Sequence, residues 1–238
     1  MQSKLFRGIA AAVSVLSLVA LARFTTAAAA DKGDDPKEAL QELQEFIGGW
    51  KGSVNDNKKQ WNESTSWSWR FKGKDVWMSL EIPEGKIYKS GDLRFLSDQG
   101  KFQLTLVDKK DAKSVFLGEF KKGTLTVERK TASGDVEQVK MNTAGGGVRF
   151  VTTVSVKPAD RTLFNKQFQA AYTKEGESFG VAAGQKGPEC VVTGGLGTMA
   201  VSYMGTTYYV CCTGCRDAFN ENPAKIVAEY KARKAKGG

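Results

Sequence analysis

The chain has 238 residues, 41% hydrophobic and 26% charged, with a formal charge of +9, four cysteines and no histidine. That composition excludes collagen-like, wholly disordered and multi-span membrane proteins, and the length allows one large domain or two smaller ones with a real core. Without imidazole there is no Ser-His-Asp or Cys-His nucleophile, no His-ligated zinc or haem and no histidine pH switch. Any metal must be held by Cys or carboxylates, and any general base must be Asp, Glu, Lys or Tyr.

Residues 1–30 have the order of a secretory signal peptide. Lys4 and Arg7 make a basic start, an apolar run over 8–22 is short for a membrane span, and small residues lead to Ala28-Ala29-Ala30 before Asp31. Cleavage after Ala30 would export the chain to the periplasm or medium, leave no stable membrane span, and put the cysteines in a compartment that can be oxidising. An uncleaved anchor is the alternative, and no cysteine near the cut offers a lipid attachment point. The leader carries Lys4, Arg7 and Arg23 and no acid, so the mature chain has a charge of +6. Lys231, Arg233, Lys234 and Lys236 account for four of those, leaving a body of about +2 with scattered charges. A nucleic-acid partner needs a concentrated basic face, which is missing.

Residues 31–174 read as a β-rich domain behind one short helix. Asp35-Pro36 followed by Glu38 supplies an N-cap, Pro at the first position and an acid in the first turn. Leu40, Leu43 and Ile47 recur at helical spacing, and Gly48-Gly49 should end the helix. From there the period is two: Val76, Met78, Leu80 and Ile82; Phe102, Leu104 and Leu106; Leu125 and Val127; Val136, Val139 and Met141; Val148, Phe150, Thr152 and Val154. Turn signals separate these runs at Lys72-Gly73-Lys74-Asp75, Asp98-Gln99-Gly100, Lys121-Lys122-Gly123, Ser133-Gly134-Asp135 and Gly145-Gly146-Gly147. About ten short strands at even spacing predict an antiparallel meander that closes into a barrel or forms a strongly curled sheet.

The order short helix, Gly48-Gly49-Trp50, then meander resembles the calycin barrels, the lipocalin and fatty-acid-binding group. The resemblance implies a Trp50 that plugs one barrel end. Trp61, Trp67, Trp69 and Phe71 share strand parity with Glu63 and Thr65, so they point to one face. Either they fill the core or they line a cavity for a small apolar ligand. No paired-carboxylate motif, phosphate-cradling glycine loop or Gly-x-Ser-x-Gly elbow is present, and nothing in this segment identifies an enzyme.

Residues 175–189, rich in Gly, Glu, Ser, Ala and Lys and containing Gly187-Pro188, read as a linker. Residues 190–238 form a module small enough to need a metal or disulfides. Twenty residues separate Cys190 from Cys211, three separate Cys211 from Cys215, and Cys212 makes a Cys-x-x-Cys with Cys215. Residues 200–203 and 206–210 read as two strands around a Met204-Gly205 turn. The second runs into Cys211-Cys212-Thr213-Gly214-Cys215 at the start of a helix. That turn lets sulfurs converge, the hairpin returns Cys190 to the same point, and the helix N-terminus favours thiolate. Phe219 is the apolar residue of this helix. Asn222-Pro223 caps a last one, whose Ile226, Val227 and Tyr230 face inward.

The string Cys190-Val191-Val192-Thr193-Gly194, then Val201 to the Cys211-Cys212-Thr213-Gly214-Cys215 turn, Phe219 and Asn222-Pro223 closely resembles the YHS domain. This is a small module of the TRASH-like, treble-clef-related group proposed to bind or sense heavy metals. The resemblance implies Cys190, Cys211 and Cys215 as metal ligands. Where many members carry a further Cys this chain has Thr193, so Cys212 is the spare thiolate for a four-sulfur site. Soft sulfur donors favour zinc or copper(I) as the cofactor. Two rivals stay open. The four cysteines could instead form two disulfides, with a Cys211–Cys212 bond disfavoured because adjacent Cα atoms lie about 3.8 Å apart. Or Cys212-Thr213-Gly214-Cys215 could serve a thiol–disulfide oxidoreductase, although one hairpin does not supply the βαβ scaffold such enzymes use. The sequence favours an exported, non-enzymatic metal-binding protein, with a carrier of a small apolar ligand as the alternative.

Overall fold

Asp35 starts the fold as expected: its carboxylate accepts the Lys37 N–H at 2.8 Å, and Pro36 opens α1 (Pro36–Gln41). The computed structural model describes residues 35–175 and 187–236. The signal-peptide reading of residues 1–30 and most of the linker, 176–186, lie outside the described residues.

The single helix expected up to Gly48-Gly49 is split in two. After α1 the chain tightens into a 3-10 turn, Gln44–Phe46, and Gly48 already belongs to the first strand. The tighter turn inserts Leu43 and Phe46 into the barrel end, where both are fully buried. Gly48 has φ +127°, a conformation that non-glycine residues rarely adopt, and it re-aims the chain from turn to strand.

Ten antiparallel strands then follow as an unbroken meander: β1 (Gly48–Asn55), β2 (Gln60–Lys72), β3 (Asp75–Glu81), β4 (Tyr88–Leu96), β5 (Lys101–Asp108), β6 (Lys113–Lys121), β7 (Thr124–Lys130), β8 (Val136–Ala144), β9 (Arg149–Lys157) and β10 (Asn165–Lys174). Each pairs with its sequence neighbours, and β1 pairs with β10 from Trp50↔Lys174 to Asn55↔Gln169, so the sheet closes into a barrel. Closure removes the sheet edges that would otherwise offer unpaired N–H and C=O groups. The alternating positions read from the sequence point inward: Met78, Leu104, Leu125, Val127 and Val139 are all fully buried.

Trp50 plugs one end. It is fully buried, its indole N–H donates to Phe46 O at 2.8 Å, and its ring lies 5.3 Å from Phe150, whose ring is tilted against Phe46 at 4.9 Å. β2 resolves the choice between core and cavity by dividing it along one strand. Trp67 and Trp69 are fully buried, whereas Trp61, Glu63, Thr65 and one side of Trp67 border a cavity of about 40 Å³ toward the other end of the barrel.

The C-terminal segment is the small α+β unit expected: β11 (Met199–Tyr203), β12 (Thr206–Val210), α2 (Thr213–Glu221) and α3 (Pro223–Lys236). Met204 and Gly205 both take positive φ, as a two-residue hairpin turn requires. Asn222 Oδ1 accepts the Lys225 N–H at 3.1 Å and so caps α3. Phe219 and Val227 are buried, and Ile226 and Tyr230 pack beside them. No helix among the described residues is long and apolar enough to cross a membrane.

Candidate metal centre

Three backbone devices bring the cysteines together. The chain at Cys190 bridges to Tyr209 beside the hairpin, with Val191 N–H donating to Tyr209 O at 2.9 Å. Gly194 N–H donates to Cys190 O at 2.8 Å, closing a tight loop that turns the Cys190 side chain toward the end of β12. β12 then delivers Cys211, and the first turn of α2 delivers Cys215. The Sγ atoms of Cys190, Cys211 and Cys215 lie within 4.8 Å of one another, and all three residues are buried. Cys211 Sγ and Cys215 Sγ are 3.5 Å apart. None of the four cysteines forms a disulfide in this structure.

Cys212 is outside that mutual triangle. It is the extended N-cap of α2 and is buried, with its sulfur facing the Cys211 and Cys215 thiols and the backbone N–H groups of Cys215 and Trp69. The last contact is to the barrel. β1 ends its pairing with β2 at Gly48↔Trp67, which leaves the last residues of β2 unpaired on that side. α2 docks there, with Gly214 against the Trp69 carbonyl.

Hydrogen bonding splits the four sulfurs into two pairs. The Cys211 and Cys215 thiols donate to Cys190 and hold it well below the ordinary thiol range, and the hydroxyl and N–H of Thr193 add to this. The same two thiols, followed by the Cys215 and Trp69 N–H groups, hold Cys212 down. Cys211 and Cys215 are correspondingly pushed up, in each case first by the hydrogen bond to Cys190. A sulfur held down in this way by neighbouring donors favours the thiolate, the form that ligates metal.

A second layer of residues holds this arrangement. Thr193 is buried with its hydroxyl 3.5 Å from Cys211 Sγ, and its carbonyl accepts from Gln41 Nε2 on α1. Gln44 accepts the Trp69 indole N–H at 3.0 Å and packs against Gly195. The helix and 3-10 turn that plug the barrel thus also brace the Cys190 loop. From the other side, Arg233 of α3 donates to Glu189 at 3.2 Å, to Val191 O at 3.3 Å and to Cys190 O at 3.4 Å. The spacing of residue types revealed the cysteines, but Gln41, Gln44, Trp69 and Arg233 carry no local signal, because their role exists only once distant elements pack.

A cleft of about 960 Å³ between this loop and the barrel end is lined by Cys211, Cys212, Thr213, Trp67, Arg70 and Glu81, among others. It reaches Cys211 and Cys212, the two cysteines that retain slight exposure, while Cys190 and Cys215 are fully enclosed. The chain matches no family model and no curated protein.

Proposed function

We propose that the chain is an exported, non-enzymatic metal-binding protein, in which a YHS-like C-terminal module holds one thiophilic ion on the rigid end of a β-barrel. The observation that carries this reading is the mutual approach of Cys190, Cys211 and Cys215 to within 4.8 Å in a buried setting. The donor set fits the ion. Sulfur ligands suit zinc or copper(I), and a buried cluster without histidine or a nearby carboxylate ligand does not suit magnesium or calcium. Cys190, Cys211 and Cys215 would hold the ion, with Cys212 as the fourth donor if the site closes. In a closed site the ion acts structurally, tying the hairpin, the Cys190 loop and α2 together.

Export is supported by the order of basic, apolar and small residues in the leader, and it is tested by the N-terminus of protein recovered from the envelope. Metal analysis of that protein, paired with a thiol count, tests the site. About one zinc or copper per chain is expected, and loss of it in Cys215→Ala. Cys212→Ser separates the two geometries: a four-sulfur site loses most of its affinity, and a three-sulfur site keeps its stoichiometry. A reconstituted chain that carries no metal and shows two disulfides by mass overturns the proposal.

A further inference from the structure

The barrel contains a second built arrangement, remote from the cysteines. Gly52 stands in the inward row of β1 between the buried Trp50 and Val54, and in register it lies between Glu63 of β2 and Tyr172 of β10. It has no side chain, and a Cβ there would come within 2.1 Å of Ala171 O. Across that gap Tyr172 Oη donates to Glu63 Oε1 at 2.7 Å, while Trp61 Nε1 donates to Glu63 Oε2 at 2.9 Å. Burial, and then the adjacent carboxylate, push the Tyr172 phenol far above its ordinary range, which keeps it a neutral donor. Among the described residues no lysine or arginine forms an ion pair with Glu63. Glu63 is thus a half-buried carboxylate oriented by two neutral donors.

The space it borders is the 40 Å³ cavity, whose other walls include Trp61, Tyr88, Phe150 and Phe168. Ring faces carry negative quadrupole density and attract cations, most of all where water is excluded. Lys86 already stands 5.2 Å from the Trp61 ring centroid, so the cavity wall presents a face that accepts positive charge. A carboxylate has about four acceptor positions, and two are used here. None of the residues lining the cavity is basic, and Lys86, over the Trp61 ring, forms no ion pair with Glu63 that would supply the rest.

We propose that this cavity binds a small organic cation, an ammonium with apolar substituents, with Glu63 as its counter-ion and the surrounding rings as its cage. At about 10–15 Å³ for each water-sized group, the volume takes about three such groups, which excludes long-chain and polycyclic ligands. A neutral apolar occupant would strip water from Glu63 without replacing its hydrogen bonds, and an anion would meet it as a like charge. The site shares no residue with the cysteine cluster, so its failure and that of the metal site are read separately.

The test is titration of the zinc-supplemented full chain with ethylammonium and, in parallel, with ethanol, a neutral molecule of the same shape. The readout is the indole N–H resonances of Trp61 and Trp67 together with calorimetry. The cation is expected to saturate and to bind about tenfold or more tighter than the alcohol, from the added cation–π and charge-assisted hydrogen-bond contributions. Glu63→Gln keeps the size and an acceptor oxygen and should abolish that preference. Trp61→Leu should weaken the cation while leaving the alcohol unchanged, and covers the case in which Glu63→Gln does not fold. Equal affinity for the pair, no saturable response to the cation, or an unaltered preference in a folded Glu63→Gln protein overturns the proposal.

Discussion

Gly214 meets Trp69 so closely that a Cβ built on the glycine would lie 1.7 Å from the Trp69 carbonyl oxygen. No side chain fits, and the obstacle is strand backbone that cannot rotate away. This contact lets the first turn of α2 lie on the unpaired stretch of β2, next to two of the cysteines. Gly214→Ala must therefore push the helix off the strand. Overpacking of this kind costs about 1–3 kcal/mol. Denaturant unfolding of the metal-loaded protein should show a lowered midpoint of that size, with weakened metal retention. An unchanged midpoint would mean that the helix can shift without loss.

Trp69 links the barrel interior to the cysteine cluster through both its backbone and its side chain. Its N–H faces Cys212 Sγ and its indole N–H donates to Gln44, which braces the Cys190 loop. Trp50 bonds within the plug, and Trp61 bonds to Glu63 in the cavity. On addition of zinc, the indole resonance of Trp69 should move most and that of Trp61 least. Gln44→Ala should reduce the Trp69 response, and equal movement of every indole would contradict this linkage.

Thr193 supplies the hydroxyl and N–H that face the Cys190 sulfur, and its hydroxyl also lies 3.5 Å from Cys211 Sγ. Thr193→Val keeps the volume and the N–H and removes only the hydroxyl. Groups that orient metal ligands in this way are worth about 10–100-fold in affinity. A competition titration against a chromogenic chelator should show a loss of about tenfold, with unchanged stoichiometry. Unchanged affinity would assign the hydroxyl to packing alone.

Much of this architecture was legible because the barrel alternates strictly where it is buried. β3, β5, β7, β8 and β9 keep their buried apolar residues on one strand parity, and glycine or charged turns punctuate them. β6 was hard to read because Val115 and Leu117 point outward and are exposed while Phe116 points in, so its hydrophobicity forms a run instead of an alternation. The split of the first helix was not legible either, since Leu40, Leu43 and Ile47 keep helical spacing through the 3-10 turn. At the site, the spacing of the cysteines marked the three that the fold gathers, Cys190, Cys211 and Cys215. The orientation of Cys212 toward Trp69 was not legible, because it depends on β1 being five residues shorter than β2. Parity placed Glu63 on the face of the tryptophans, but its partner Tyr172 is more than a hundred residues away, and only closure of the barrel brings them together.

Arg233 of α3 reaches the Cys190 loop through Glu189 and the carbonyls of Cys190 and Val191, and Lys234 beside it pairs with Glu189 as well. The Arg233 side chain is 36% exposed, which discounts the charge component of the pair with Glu189. The two carbonyl hydrogen bonds remain, and Arg233→Met should cost about 1–2 kcal/mol by leaving those acceptors without their donor. The readout is protection of the Val191 and Gly194 amides against hydrogen exchange, which should fall while protection in β3 through β9 is kept. A uniform loss throughout the chain would make Arg233 a determinant of global stability instead.

Removing the metal should separate the two parts of the molecule. The barrel has its own closed hydrogen-bond network and a core of Trp50, Trp67, Phe116 and Phe150, none of which is a sulfur ligand. The C-terminal unit has a two-stranded sheet and two helices around few apolar residues, and a lone hairpin of that size is marginal. For such a unit the free energy of metal binding is folding free energy. Cys190→Ala, or treatment of the wild-type protein with a chelator, should therefore abolish protection of the β11, β12 and α2 amides. Those of β3 to β9 should stay protected, and the near-ultraviolet signal of the plug should persist. If the barrel amides are lost together with those of the module, the two fold as one cooperative unit and the ion stabilises the whole chain. If neither changes, the cysteine cluster holds without metal, and the structural role assigned to the ion fails.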